Sequence, residues 1–83
     1  MKPVRIYTTP SCPYCVRAKR LLDRKKVAYQ EIDVSGDDAT RVRLMARTGR
    51  RTVPQIFIGE KHVGGSDDLY ALEERGELDP LLQ

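Results

Sequence analysis

The chain has no tryptophan, one phenylalanine, one histidine and only two cysteines among its 83 residues. Two cysteines are too few for the multi-bridged framework that holds a small secreted domain together. No apolar run approaches the ~20 residues needed to cross a bilayer. The first residues, Met1-Lys2-Pro3-Val4-Arg5, place charge where a signal peptide needs an apolar stretch. The expectation is therefore a cytoplasmic chain without membrane association. Stacking aromatics are also scarce, and the net charge of +3 is spread along the chain, densest at Arg24-Lys25-Lys26 and Arg50-Arg51. That pattern argues against nucleic-acid binding, which needs a basic stripe and exposed aromatic rings, and suits a small anionic ligand better.

What remains is ordinary for a folded globule: 40% hydrophobic and 33% charged residues, enough for one core but not two. We expect a single domain over 1–83, acting as a monomer. Val4-Arg5-Ile6-Tyr7-Thr8 alternates and reads as a strand that stops at Pro10-Ser11. From Pro13 to about Lys26 the residues Cys15, Ala18 and Leu22 recur at helical spacing, with Arg17, Lys19, Arg20 and Arg24 on the wet side. Pro13 suits a first helical position, where no N–H is required.

A second strand is expected over Val27–Val34. A second helix follows the Ser35-Gly36-Asp37-Asp38 turn, with Ala39, Val42, Met45 and Ala46 inward and Gly49 as its stop. Gln55-Ile56-Phe57-Ile58 and Lys61-His62-Val63 form a hairpin through Gly59-Glu60. Ser66 is expected to cap a last helix carrying Asp67 and Asp68 in its first turn, Leu69 and Leu72 inward, and ending near Gly76. The order β-α-β-α-β-β-α predicts an α/β fold: a mixed four-stranded sheet flanked by three helices, its first two strands joined by a right-handed parallel crossover.

In a reducing compartment a lone cysteine pair calls for a chemical explanation rather than a structural one. Cys12, immediately before Pro13, is placed to cap the helix, where a thiolate can accept the free N–H groups of Tyr14 and Cys15 and meets the positive helix end. Cys15, three residues on, shares the inward stripe with Ala18 and Leu22. An exposed sulfur that attacks and a sheltered one that resolves are what two-step disulfide exchange needs. Zinc is the alternative for any C-x-x-C, but a closed site takes four ligands and the chain offers Cys12, Cys15 and His62 alone; no metal is expected. His62 is read as a surface residue of its strand.

At Tyr7-Thr8, Cys12-Pro13-Tyr14-Cys15, Thr52-Val53-Pro54 and Gly64-Gly65-Ser66-Asp67-Asp68 the sequence resembles a small bacterial dithiol glutaredoxin over nearly its whole length. The resemblance implies a thioredoxin fold, no bound cofactor, and glutathione as co-substrate. It implies a substrate site formed by Tyr14, Thr52, Val53, Pro54, Gly65, Ser66 and Asp67, with Pro54 cis, Val53 pairing with glutathione through its main chain, and Asp67 meeting the ligand ammonium. The implied partners are disulfide-containing or glutathionylated proteins, with ribonucleotide reductase one candidate. Two other members of the wider group are alternatives: an electron donor fed by thioredoxin reductase, and an iron–sulfur carrier. The sequence departs from the family pattern at Thr9, where many relatives carry a lysine. Arg17, Arg50 and Arg51 are the candidates to replace that charge, with Arg51 preferred to Arg50. Ser66 stands where some relatives have a third cysteine.

Overall fold

The computed structural model describes residues 1–83 and places eight elements in the order β1 (Val4–Thr8), α1 (Pro13–Arg24), β2 (Gln30–Asp33), α2 (Asp38–Thr48), β3 (Gln55–Ile58), β4 (Lys61–Gly64), α3 (Ser66–Glu74) and α4 (Leu78–Leu82). The sheet order is β2-β1-β3-β4, with β1 parallel to β2 and antiparallel to β3, and β4 closing a hairpin on β3. This is the expected mixed four-stranded sheet. No helix is long and apolar enough to cross a membrane.

Alternation in β1 and β3 sends two sets of side chains to opposite faces. Val4, Ile6, Ile56 and Ile58 join Ala18, Leu21 and Leu22 of α1 and Leu69 of α3 in the core. On the other face the Phe57 ring meets Tyr7 edge-on at 5.8 Å between centroids and lies under the guanidinium groups of Arg47 at 4.4 Å and Arg5 at 5.3 Å. That second face explains a correction. Ala39, Val42 and Ala46 of α2 are exposed, Val42 at 59%, while Leu44 is the buried residue and Met45 is half-buried. The Arg47 guanidinium covers Phe57 where an aliphatic residue was expected, so a long charged side chain takes part of the contact with the ring and the period of short apolar residues misleads.

Three further expectations are corrected. The second strand begins at Gln30, not Val27; Val27 is buried but lies in the turn that leaves α1, its N–H bonded to the Leu22 carbonyl at 3.0 Å. A fourth helix adds to the three expected. It was hidden by its five-residue length and by Pro80, which falls in the first turn, where the missing N–H would have had no partner. Leu78 and Leu82 bury α4 against the core, and Lys25 ties it to α3 through Asp79 at 2.8 Å and Glu73 at 2.8 Å. Finally, His62 is half-buried rather than a free surface residue: its Nε2 lies 2.7 Å from Oε1 of the fully buried Gln55.

Because the Gln55 amide donates elsewhere, His62 must donate through Nε2 in this bond. Burial first, then repulsion from Arg50, partly offset by Asp68 and joined by a smaller repulsion from Arg47, holds the His62 pKa below its usual value. The unfolded chain thus takes up a proton near pH ~6.5 that the folded chain resists. The stability from this group is complete above that pH and declines as pH falls below it. Thermal unfolding should therefore show a melting temperature that drops from pH 7 to pH 5, with a flatter profile in His62→Asn. The α2 face is checked by urea unfolding: Leu44→Ala should cost about 2 kcal/mol or more, and Val42→Ser no more than about 0.5 kcal/mol.

Candidate active site

The turn from β1 into α1 sets the cysteines. Ser11 takes a left-handed conformation (φ 60°) and Cys12 an extended one, so that Cys12 becomes the N-cap and Pro13 the first helical residue. The N–H of Cys15 donates to Cys12 Sγ at 3.1 Å. Of the two N–H groups expected at this sulfur, Tyr14 makes no bond and Cys15 alone does. Cys12 is half-exposed, and its thiol faces the Val53 carbonyl at 3.8 Å. Cys15 is 1% exposed, and its thiol is pushed up to about 12, chiefly by burial and then by its hydrogen bond with Cys12. The two sulfurs, both free thiols, are as unequal as the sequence suggests.

The second wall is the loop before β3. Val53–Pro54 is a cis peptide. Gln55 fixes the loop from below: its Nε2 donates to the Thr52 carbonyl at 2.9 Å and to Thr52 Oγ1 at 3.2 Å, while its carbonyl oxygen takes the His62 bond. A buried amide with all its groups paired is a rigid support. This buttress gave no signal in the sequence, because a glutamine inside an apolar strand has no motif.

The third wall is the entrance to α3. Gly65, not Ser66, is the N-cap. Ser66 is the first helical residue, 3% exposed, and its hydroxyl faces Arg17 Nη1 at 3.4 Å. The helix starts one residue earlier than expected, and the Asp68 carboxylate in its first turn accepts the N–H of the capping Gly65 at 2.8 Å and pairs with Arg50 at 2.7 Å. The Arg50 bond first and the Gly65 bond second hold the Asp68 pKa below the usual carboxylate value. Gly64 must be glycine here, since its φ is 119° and a Cβ would run into the Asp68 carboxylate.

These walls enclose a groove of about 240 Å³ lined by Tyr14, Arg50, Thr52, Val53, Pro54, Gly65, Ser66, Asp67 and Asp68. All seven residues named from the resemblance come together there. Arg50 and Asp68 join them. Among the candidate cations, Arg50 lines the groove, whereas Arg51, the residue preferred from the sequence, does not. Arg17 pairs with Asp67 at 2.7 Å and lies over the Tyr70 ring at 4.1 Å, as Arg50 pairs with Asp68 at 2.7 Å. Asp67 keeps 84% of its side chain exposed within that pair. No three His, Cys, Asp or Glu side chains gather as a ligand set.

Known proteins give this geometry a context. A family model described as Glutaredoxin matches residues 4–63. The chain is 57% identical to Glutaredoxin 3 of Escherichia coli strain K12 over the full length of both. It is 60% identical to a glutaredoxin of Pseudomonas aeruginosa, covering 99% of this chain and 98% of that one. Among solved structures, the crystal structure of a buckwheat glutaredoxin–glutathione complex superposes with a TM-score of 0.93 at 38% identity, over 98% of this chain and 76% of that one. The solution structure of a Brucella melitensis glutaredoxin does so at 0.89 and 58%, over 99% and 89%. With relatives this similar along its whole length, a thioredoxin-like fold and the paired Cys12 and Cys15 at a helix start, the chain belongs to the glutaredoxin family of thiol–disulfide oxidoreductases.

Proposed function

We propose that the chain reduces protein disulfides and protein–glutathione mixed disulfides, with glutathione restoring its dithiol. The observation that carries this reading is the groove beside Cys12, whose charges complement glutathione. A tripeptide with two carboxylates and one ammonium meets Arg50, the free N–H groups at the start of α3, and the exposed carboxylate of Asp67. A buckwheat relative solved as a complex with glutathione supports glutathione as the ligand.

The thiolate of Cys12 attacks one sulfur of the substrate disulfide, forms a mixed disulfide, and expels the other sulfur as a thiolate. On a glutathionylated protein the expelled group is the protein thiol, and a second glutathione then attacks the Cys12–glutathione bond, releasing oxidised glutathione. On a protein disulfide, Cys15 attacks Cys12 instead, at the high effective concentration its position gives, and the protein leaves reduced. Two glutathiones then reopen the Cys12–Cys15 bond. The reading takes the chain to work as a monomer in a reducing compartment, with ribonucleotide reductase among the disulfide proteins it could serve.

Two results are expected. Cys12→Ser should abolish both reactions, whereas Cys15→Ser should keep reduction of a glutathionylated peptide and lose reduction of a protein disulfide; equal loss on the glutathionylated peptide would contradict the assignment. Arg50→Ala should raise the KM for glutathione several-fold, in line with an exposed charge contact of about 1 kcal/mol or less, and the difference should shrink as salt is added. Arg51→Ala should match the parent in the same coupled assay with glutathione reductase.

A further inference from the structure

A second cleft adjoins the cysteines and shares no residue with the groove. It holds about 150 Å³ and is lined by Thr8, Cys12, Cys15, Lys19, Glu31 and Asp33, among others. Lys19 is its one cation. One helical turn beyond Cys15, at the i, i+4 position, Lys19 lies on the same face of α1. Its ammonium reaches across to β2 and donates to Glu31 Oε2 at 2.9 Å, and the same oxygen accepts the buried Thr8 hydroxyl of β1 at 2.8 Å. Asp33, the other acid of the cleft, is turned away to the Ser35 N–H at 2.8 Å. Three elements thus hold one positive charge next to the buried sulfur.

An exposed ion pair usually does little for stability. This one joins a half-buried Lys19 to an exposed Glu31 that a third partner orients, and its place beside Cys15 gives it a chemical use. We propose that Lys19 stabilises the negative charge on Cys15 whenever that sulfur enters or leaves the disulfide, and that Glu31 positions Lys19 and tempers its charge. The relation is mutual: Lys19 opposes the rise that burial imposes on the Cys15 thiol, and Cys15 in turn favours the charged form of Lys19.

The step balances simply. A reductant thiolate attacks Cys12 Sγ and forms a new S–S bond. The Cys12–Cys15 bond breaks with its electron pair left on Cys15 Sγ, and the reductant is joined to Cys12. Closure is the reverse. Negative charge builds on Cys15 as the bond opens, and closure needs Cys15 deprotonated before it attacks, so a nearby cation aids the first as a better leaving group and the second by supplying more thiolate. The inference rests on the dithiol cycle above and adds a charge to it.

The test oxidises the full chain to its Cys12–Cys15 disulfide and mixes it at pH 7 with excess glutathione or, separately, cysteamine, whose thiolate form carries no net charge. Samples are acid-quenched and the surviving internal disulfide is counted by mass spectrometry. Lys19→Met should open several-fold more slowly with both thiols. Glu31→Gln, which keeps an acceptor for Lys19 and Thr8 but removes the opposing charge, should open faster. Lys19→Arg should stay near the parent, as should Arg20→Met, an equal loss of charge on the exposed side of α1. The proposal is overturned if Lys19→Met behaves like Arg20→Met, if its loss appears with glutathione alone, as attraction of an anionic reductant would give, or if the Lys19 and Glu31 variants slow together, as a loosened cleft would give. If glutathione opens the parent no faster than cysteamine, the glutathione assignment fails while the Lys19 comparison still reads.

Discussion

Everything at the active site hangs on the free end of one helix. An α-helix starts with N–H groups that have no partner within it, and here the Cys15 N–H spends its bond on Cys12 Sγ at 3.1 Å. The bond requires Cys12 to stand just outside the helix, and Pro13 at the first helical position removes the one donor that would have competed nearest to it. It also requires α1 to be immobile. Ala18, Leu21 and Leu22 supply that by burying the helix on Ile6, Ile56 and Ile58, so the same packing that stabilises the fold aims the sulfur.

From that placement the inequality of the two thiols follows. One turn into the helix, Cys15 points to the core, and burial makes its charged form costly. Cys12 stays at the rim, facing a groove built by segments far from it in sequence: the loop ahead of β3, braced by the Gln55 amide, and the start of α3, braced by Asp68 and Arg50. The site is therefore a meeting of three chain segments, supported by the buried Gln55, the half-buried Asp68 and the exposed Arg50. The Gln55 amide is worth more than its own hydrogen bonds, because an unpaired partner inside the protein would carry the full desolvation cost.

The sequence revealed the parts whose signals are local. The strand of Val4–Thr8, the Pro13 start of α1, the Gly59-Glu60 hairpin turn and the Cys12/Cys15 pair each carry a pattern within a few residues, and all of them stand where expected. It misled where function or packing depends on residues distant in the chain. The α2 face was misread because Arg47 does the work of an apolar residue over Phe57. Ser66 was read as a cap because nothing local says that the helix would start one residue earlier, with Asp68 accepting the N–H of the capping Gly65. Arg50 and Arg51 could be assigned to opposite faces but not to the correct ones, since the choice depends on where Asp68 lies. Gln55, His62, Lys19 and Glu31 had no motif at all; each acquires its role only through a partner on another element.

In the proposed cycle one helix terminus makes two cysteines of identical chemistry into an attacking and a resolving sulfur. The most direct measurement is to treat the reduced, folded chain at pH 7 with less than one equivalent of iodoacetamide and map the alkylated residue by peptide mass spectrometry. The account predicts that the label falls on Cys12, with Cys15 labelled only after the chain is unfolded. Comparable labelling of both cysteines in the folded protein would contradict it.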